Sequence, residues 1–166
     1  QSEVYIMKVK KLLALVLSAL MAVTMLTACG GGGNGIKNVS VNNSEVEAIF
    51  AAENIEINVK ATSAAKTVAK AIASAMSELN SDVIYEDSSK QILANALVNS
   101  YPSDGYVGNC YYITRAEMES VGADVETVAA TAVATFGQGT DFEIGVVEVD
   151  TKDGVSCIVA VALTQR

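Results

Sequence analysis

Two cysteines, Cys110 and Cys157, and five acids crowded between Asp141 and Asp153 are the side chains with the clearest capacity for chemistry. In an oxidising compartment the thiols have two readings. They close a disulfide around a loop of roughly 48 residues, worth on the order of 4 kcal/mol in the chain-entropy picture. Alternatively they stay reduced and buried, as small apolar residues. A nucleophilic role needs an activating base, and the chain contains no histidine. That absence removes the commonest general base and the commonest transition-metal ligand. A Ser-His-Asp or Cys-His set cannot be built within this chain. Asp141, Glu143, Glu148, Asp150 and Asp153 offer oxygen ligands for a hard cation such as Ca²⁺, or an acid pair of the glycosidase kind. Their spacing matches no EF-hand loop and singles out no pair, so a solvated strand edge is the simpler account. No metal, cofactor or catalytic residue is expected.

Tyrosines supply the other candidate surface. Tyr101, Tyr106, Tyr111 and Tyr112 cluster around Pro102, and tyrosine offers rigid amphipathic area for recognising protein or sugar. Tyr101 and Tyr106 are the candidates for a recognition surface. In the competing account the tyrosines are structural, and Tyr111 and Tyr112 straddle a sheet, one packed and one half-exposed.

The N-terminal region bears on location. Residues 1–6 precede Met7 and are set aside as upstream. Lys8, Lys10 and Lys11 are followed by an uncharged apolar run from Leu12 that ends in Leu26-Thr27-Ala28-Cys29. A basic start, an apolar stretch and small residues at its end describe an export signal. The last four residues resemble the lipobox of bacterial lipoproteins. That resemblance implies a signal peptide over 7–28, lipidation of the Cys29 sulfur, and attachment to the extracytoplasmic face of the cell membrane. A membrane-spanning helix is the competing reading, since about 18 apolar residues just span a bilayer. Four glycines directly after Cys29 and the lack of a basic cluster beyond them disfavour it. Three of the eleven basic residues and one of the nineteen acidic ones precede Cys29, so the exported chain carries a net charge of −10. Such a surface repels phosphate backbones and anionic headgroups. Nucleic acid is not an expected partner, and the lipid is expected to provide membrane contact.

The remaining elements follow from periodicity and caps. Residues 29–43 are glycine-rich and polar, a composition that behaves as a flexible tether, followed by one domain over 44–166. Ser44 opens a short helix near 45–52 by capping-box spacing. Ile55, Ile57 and Val59 alternate as a strand. Ser63 to Leu79 places Val68, Ile72, Ala75, Met76 and Leu79 on one helical stripe, and a second helix runs from Ser88 to about Asn99. Tyr106 to Ile113 has strand composition. Thr114 caps a helix that Gly122 interrupts and Asp124 restarts. Phe142–Asp150 and Val155–Thr164 form a hairpin around Asp153-Gly154, and the second of these strands, apolar on both faces, is expected to be central and covered on both sides. The expected architecture is α+β: an antiparallel sheet of about three strands ending in a β-hairpin, with helices in two or three layers.

The order of elements after Ser63 is similar to the CAP domain (the cysteine-rich secretory, antigen-5 and pathogenesis-related family), an α-β-α sandwich. Glu143-Ile144-Gly145-Val146-Val147, then Asp153-Gly154 and the last strand, resemble that family's closing strands. The family's two cavity histidines are missing, with Gln138 where one would fall, and Gly108-Asn109-Cys110 replaces its Gly-Glu-Asn, so the resemblance implies a scaffold without the metal cavity. The functional expectation is an anchored lipoprotein with a non-catalytic binding domain, facing a cell-envelope protein or glycan. A histidine-free carboxylate hydrolase and a single-domain ligand-binding lipoprotein are the alternatives.

Overall fold

The computed structural model describes residues 35–166. The signal segment and Leu26, Thr27, Ala28 and Cys29 of the lipobox lie outside the described residues. In order the elements are β1 (Lys37–Asn38), α1 (Asn43–Ala51), β2 (Asn58–Ala61), α2 (Ser63–Met76), α3 (Asp87–Asn99), β3 (Tyr106–Thr114), α4 (Arg115–Ser120), α5 (Val125–Ala134), β4 (Asp141–Asp150) and β5 (Ser156–Gln165). The class is α+β, as the sequence predicts.

One sheet forms the middle layer, in the order β1-β4-β5-β3, with β2 also on β4. β5 is central because its run SCIVAVAL has no polar face to show to water. It pairs antiparallel with β3 on one side and β4 on the other, and Cys157 to Leu163 are all buried. α1 and α5 cover one face around Phe50, Ile144 and Ile158. α2 and α3 cover the other around Ile72, Met76, Leu93 and Val159. α5 is apolar nearly all round because it is clamped between the sheet and α1.

The sheet has five strands where about three are expected. Two of the five lie on the outer edge of β4: β2 runs parallel to it over Asn58–Ala61, and β1 runs antiparallel at Lys37↔Glu148 and Asn38↔Val147. The expected tether is therefore corrected. From Lys37 the chain is part of the body, since the Val39 N–H donates to the Val146 carbonyl (3.0 Å) and Val39 and Val41 pack on the core. β2 starts later than the Ile55–Val59 alternation implies. Asn54 takes a left-handed φ of 59° to close α1, and only from Asn58 does the chain reach β4. Ile55 and Ile57 are nevertheless buried.

Capping explains the helix starts. Asn42, not Ser44, caps α1, its Oδ1 accepting from the Ser44 and Glu45 N–H groups. Thr62, Thr114 and Asp124 accept in the same way at α2, α4 and α5, each satisfying an N–H that the helix cannot. α3 begins after Glu86 without a side-chain cap.

The β4–β5 turn is longer than Asp-Gly alone suggests. The ladder ends at Asp150↔Ser156, and the Thr151 N–H closes onto the Val155 carbonyl at 2.9 Å, with Gly154 at φ 83°. Asp153 ties this turn to the loop after α2, accepting from the Ser81 N–H (2.8 Å), the Ser81 hydroxyl (2.6 Å) and the Thr151 hydroxyl (2.6 Å). The Ser81 and Thr151 hydrogen bonds favour the ionised form and hold its carboxyl down at about 2. A depressed carboxylate stabilises the fold above its unfolded pKa near 3.8, and that contribution is lost as pH falls toward 2. We expect Asp153→Asn to flatten the acid-unfolding curve between about pH 4 and pH 2, measured by circular dichroism, with no change in slope at neutral pH.

Candidate functional site

β3 pairs only with β5, so its other edge is free among the described residues. The β3–β5 register runs without a bulge from Tyr106↔Gln165 to Thr114↔Cys157. In such a ladder alternate residues turn their N–H and C=O groups toward and away from the partner. Gly108 turns away: its N–H donates to the Tyr101 hydroxyl (2.8 Å), which donates back to its carbonyl (3.2 Å). By alternation Cys110 and Tyr112 also present their N–H and C=O groups to the outer edge. No described residue bonds them there.

Beside this stretch of edge lies an open groove of about 590 Å³. One wall is α3, through Lys90, Leu93, Ala94 and Leu97, and the other is the backbone of β3 from Asn109 to Ile113. Lys90, Leu93, Ala94 and Leu97 fall at three-to-four spacing, one face of the helix. The floor is Cys110 and Tyr112, which point to the α2–α3 side. Tyr85 and Glu117 close one end. Tyr85 stacks on Tyr112 with ring centroids 5.7 Å apart and planes within 7°, and its hydroxyl donates to Glu117 at 2.6 Å. The Tyr112 hydroxyl donates to the Ile84 carbonyl at 2.8 Å, fixing the loop that carries Tyr85. In a capping box the glutamate three residues after the cap reaches back to the cap's own N–H. Here Thr114 caps the Glu117 N–H at 3.1 Å, while the Glu117 carboxylate takes Tyr85 instead.

The electrostatics of the groove oppose nucleophilic chemistry. Burial pushes the Cys110 thiol up to about 11, and burial followed by the neighbouring Cys110 and Cys157 pushes Tyr112 up to about 12. Tyr85 is raised as well, by burial and then by its bond to Glu117. All three are protonated at neutral pH, and Glu117 is the one carboxylate in the groove lining.

Of the candidate residues read from the sequence, Cys110 and Cys157 are free thiols. They share a face of adjacent strands, but Cys110 lies opposite Val161 and Cys157 opposite Thr114. A four-residue offset is about 13 Å, and a disulfide needs Cα atoms within about 7 Å. The bridged reading is thus corrected to two free thiols, Cys110 half-buried and Cys157 buried, with Cys157 pushed up to about 12 by burial first. Tyr101 and Tyr106 are half-buried and packed against the core, Tyr101 bonded to Gly108 and Tyr106 accepting from Gln165 at 2.9 Å. Among the described residues the exposed aromatic is Tyr85, at 43%. Sequence reasoning missed it because it sits in an irregular loop. The adjoining Val83-Ile84, an apolar pair within an otherwise polar stretch, is the cue that this loop is anchored.

The five acids disperse. Glu148 pairs with Arg115 and accepts from Ser156 (2.9 Å). Its burial acts to raise the pKa, and these two hydrogen bonds together with the charges of Arg115 and Lys37 outweigh it, so the net shift is down. Asp153 is tied to Ser81. Asp141 and Glu143 line a second cleft of about 390 Å³ with Lys60, Tyr106 and Gln165, but they stand side by side on one strand rather than opposed across it. Three carboxylates that do converge, Glu45, Asp124 and Glu126, lie within 4.8 Å of one another at the starts of α1 and α5. Each already accepts a hydrogen bond from Asn42 or Thr127.

No family model, no curated protein and no solved structure matches this chain.

Proposed function

We propose that the chain is a lipid-anchored extracytoplasmic protein of the cell envelope whose domain binds a partner and does not catalyse a reaction. The groove between α3 and β3 carries the binding half of this reading. It is concave and largely apolar, within the roughly 300–1,000 Å³ of ordinary ligand sites, and it combines free main-chain donors and acceptors with protonated side chains. An opposed acid pair, which a histidine-free hydrolase would need, is not among its lining residues. Leu26-Thr27-Ala28-Cys29, the apolar run before it and the glycines after it support the anchored half. The net charge of −10 favours a partner other than nucleic acid.

Intact mass of protein extracted from native membranes tests the anchor. We expect a chain beginning at Cys29 and carrying diacylglyceryl, with or without a further acyl group, and loss of both processing and lipid in Cys29→Ala. An unmodified full-length mass in native membranes would overturn the reading.

A further inference from the structure

We propose that the groove takes an extended polypeptide segment, added as an extra strand along the free edge of β3, apolar at its centre and carrying lysine or arginine at the end that meets Glu117. This rests on the binding reading above and names its ligand class. Three observations converge on it.

The first is the state of the edge. Exposed strand edges are ordinarily blunted by charged residues, proline or bulges. Tyr106–Thr114 reads YVGNCYYIT and contains no charge and no proline, and its ladder contains no bulge. Gly108 is plugged by the Tyr101 hydroxyl, and the Tyr85 hydroxyl sits at Thr114. Between these tyrosines the N–H and C=O groups of Cys110 and Tyr112 stay open, in the alternating pattern that an incoming strand pairs with. The stretch between the two plugs, Asn109 to Ile113, is about 13 Å long, the length of a segment of about four or five residues.

The second is the wall. Leu93, Ala94 and Leu97 line the groove from α3, and Val98 stands next to them, 58% exposed. Strand addition uses main-chain bonds for affinity and pockets for alternate side chains for specificity. The Tyr85–Tyr112 stack and the small Ala94 give this groove a flat aromatic floor and room above it.

The third is charge. Glu117 lines the Tyr85 end, Glu86 and Asp87 directly follow Tyr85 in the chain, and Lys90 of the groove wall already lies 3.9 Å from Asp87. With the described chain strongly acidic as a whole, a cationic terminus on the ligand is favoured at that end.

The test uses detergent-solubilised full-length protein and an immobilised library of hexapeptides of L-residues. We expect enrichment of sequences with β-branched or aromatic residues at alternate positions and a terminal lysine or arginine. For the best hexapeptide, N-methylation of an amide facing the edge is expected to weaken binding at least tenfold, and N-methylation of the next amide is expected to change it little. Cys110→Pro removes the outward N–H without touching the β5 ladder, and Ala94→Trp fills the groove from an exposed helix position. Each is expected to weaken the same peptide at least tenfold, with thermal melting showing that the variants fold. Binding that ignores alternate N-methylation and Cys110→Pro but fails in Ala94→Trp would overturn strand addition and leave the groove as a binding site. Strand addition would equally be overturned if no hexapeptide binds while palmitate or anilinonaphthalene sulfonate does, in a manner sensitive to Ala94→Trp. Concentration-dependent dimerisation abolished by Cys110→Pro would assign the edge to a second copy of the chain and overturn the proposal. No binding of any of these probes, with a monomeric protein, would overturn both readings.

Discussion

Gly145→Val is expected to remove most of the stability of the domain, at least about 4 kcal/mol. A Cβ at residue 145 would lie 2.5 Å from the Ala65 carbonyl carbon and 2.5 Å from the Lys66 nitrogen. Those are backbone atoms in the first turn of α2, so no side-chain rotation relieves the contact. α2 comes this close because it is rich in alanine, SAAKTVAKAIASAM, and because β4 offers a glycine beneath its first turn. Accommodation means lifting the helix off Val147 and Val159, across the face where α2 and β4 pack. Overpacking a well-packed core ordinarily costs about 1–3 kcal/mol, but here the clash is with the main chain. Domains of this size have only about 5–15 kcal/mol in total. Gly145→Ala should fall between wild type and valine. Urea unfolding followed by far-ultraviolet circular dichroism would measure all three, and a loss below about 1 kcal/mol for valine would mean that α2 does not sit on β4 at Gly145.

Tyr112→Ala is expected to cost about 3 kcal/mol, and Tyr112→Phe about 1 kcal/mol, from separable causes. The ring packs against the α2–α3 core and stacks on Tyr85, and truncating a large buried aromatic costs about 3–5 kcal/mol. This ring is only half-buried, which puts it at the lower end of that range. The hydroxyl acts separately. It donates to the Ile84 carbonyl, and a buried acceptor left without a partner costs about 1–3 kcal/mol. Ile84 is fully buried and anchors the loop between α2 and α3. Phenylalanine should therefore preserve the stack while loosening the loop, seen as faster amide exchange at residues 83–86 with little change elsewhere. Alanine should lose both, and the groove with them. Equal losses for the two variants would assign the whole effect to the hydroxyl.

Elements whose signal is local are the ones the sequence discloses. β5 announces its central place because seven successive buried residues leave no side for water. Thr114, Asp124 and the Ser63–Leu79 stripe mark three helices through caps and period, the last of them ending at Met76. Legibility fails where a partner supplies the reason. Lys37–Asn38 is too short to be read as a strand and becomes one only because β4 has an unfilled outer edge. Gly145 resembles a family signature in the sequence, whereas in the fold its meaning is the approach of Ala65. Cys110 and Cys157 are read correctly onto strands, but that these strands are neighbours, and in what register, is set by the β4–β5 turn and the Tyr106 start of β3, which carry no cysteine. The groove is the least legible feature of all. Its walls come from residues 85, 90–97, 109–113 and 117, and only the tyrosines on β3 hint at it.

β1 also has a mechanical consequence. Tension on the N-terminal end of the domain arrives first at Lys37–Asn38, a two-residue strand held on the rim of β4 by a short ladder and the Val39–Val146 bond. The fully buried interior, shared among α1, α5 and the sheet, begins with Val46 and Phe50, while Val39 and Val41 are only partly buried against it. Pulling therefore peels residues 37 to 42 before it loads the helices, and about 3.5 Å of reach per released residue gives roughly 20 Å of slack. The domain can yield at its N-terminal end and keep the β3 edge, on the far side of the sheet, unstrained.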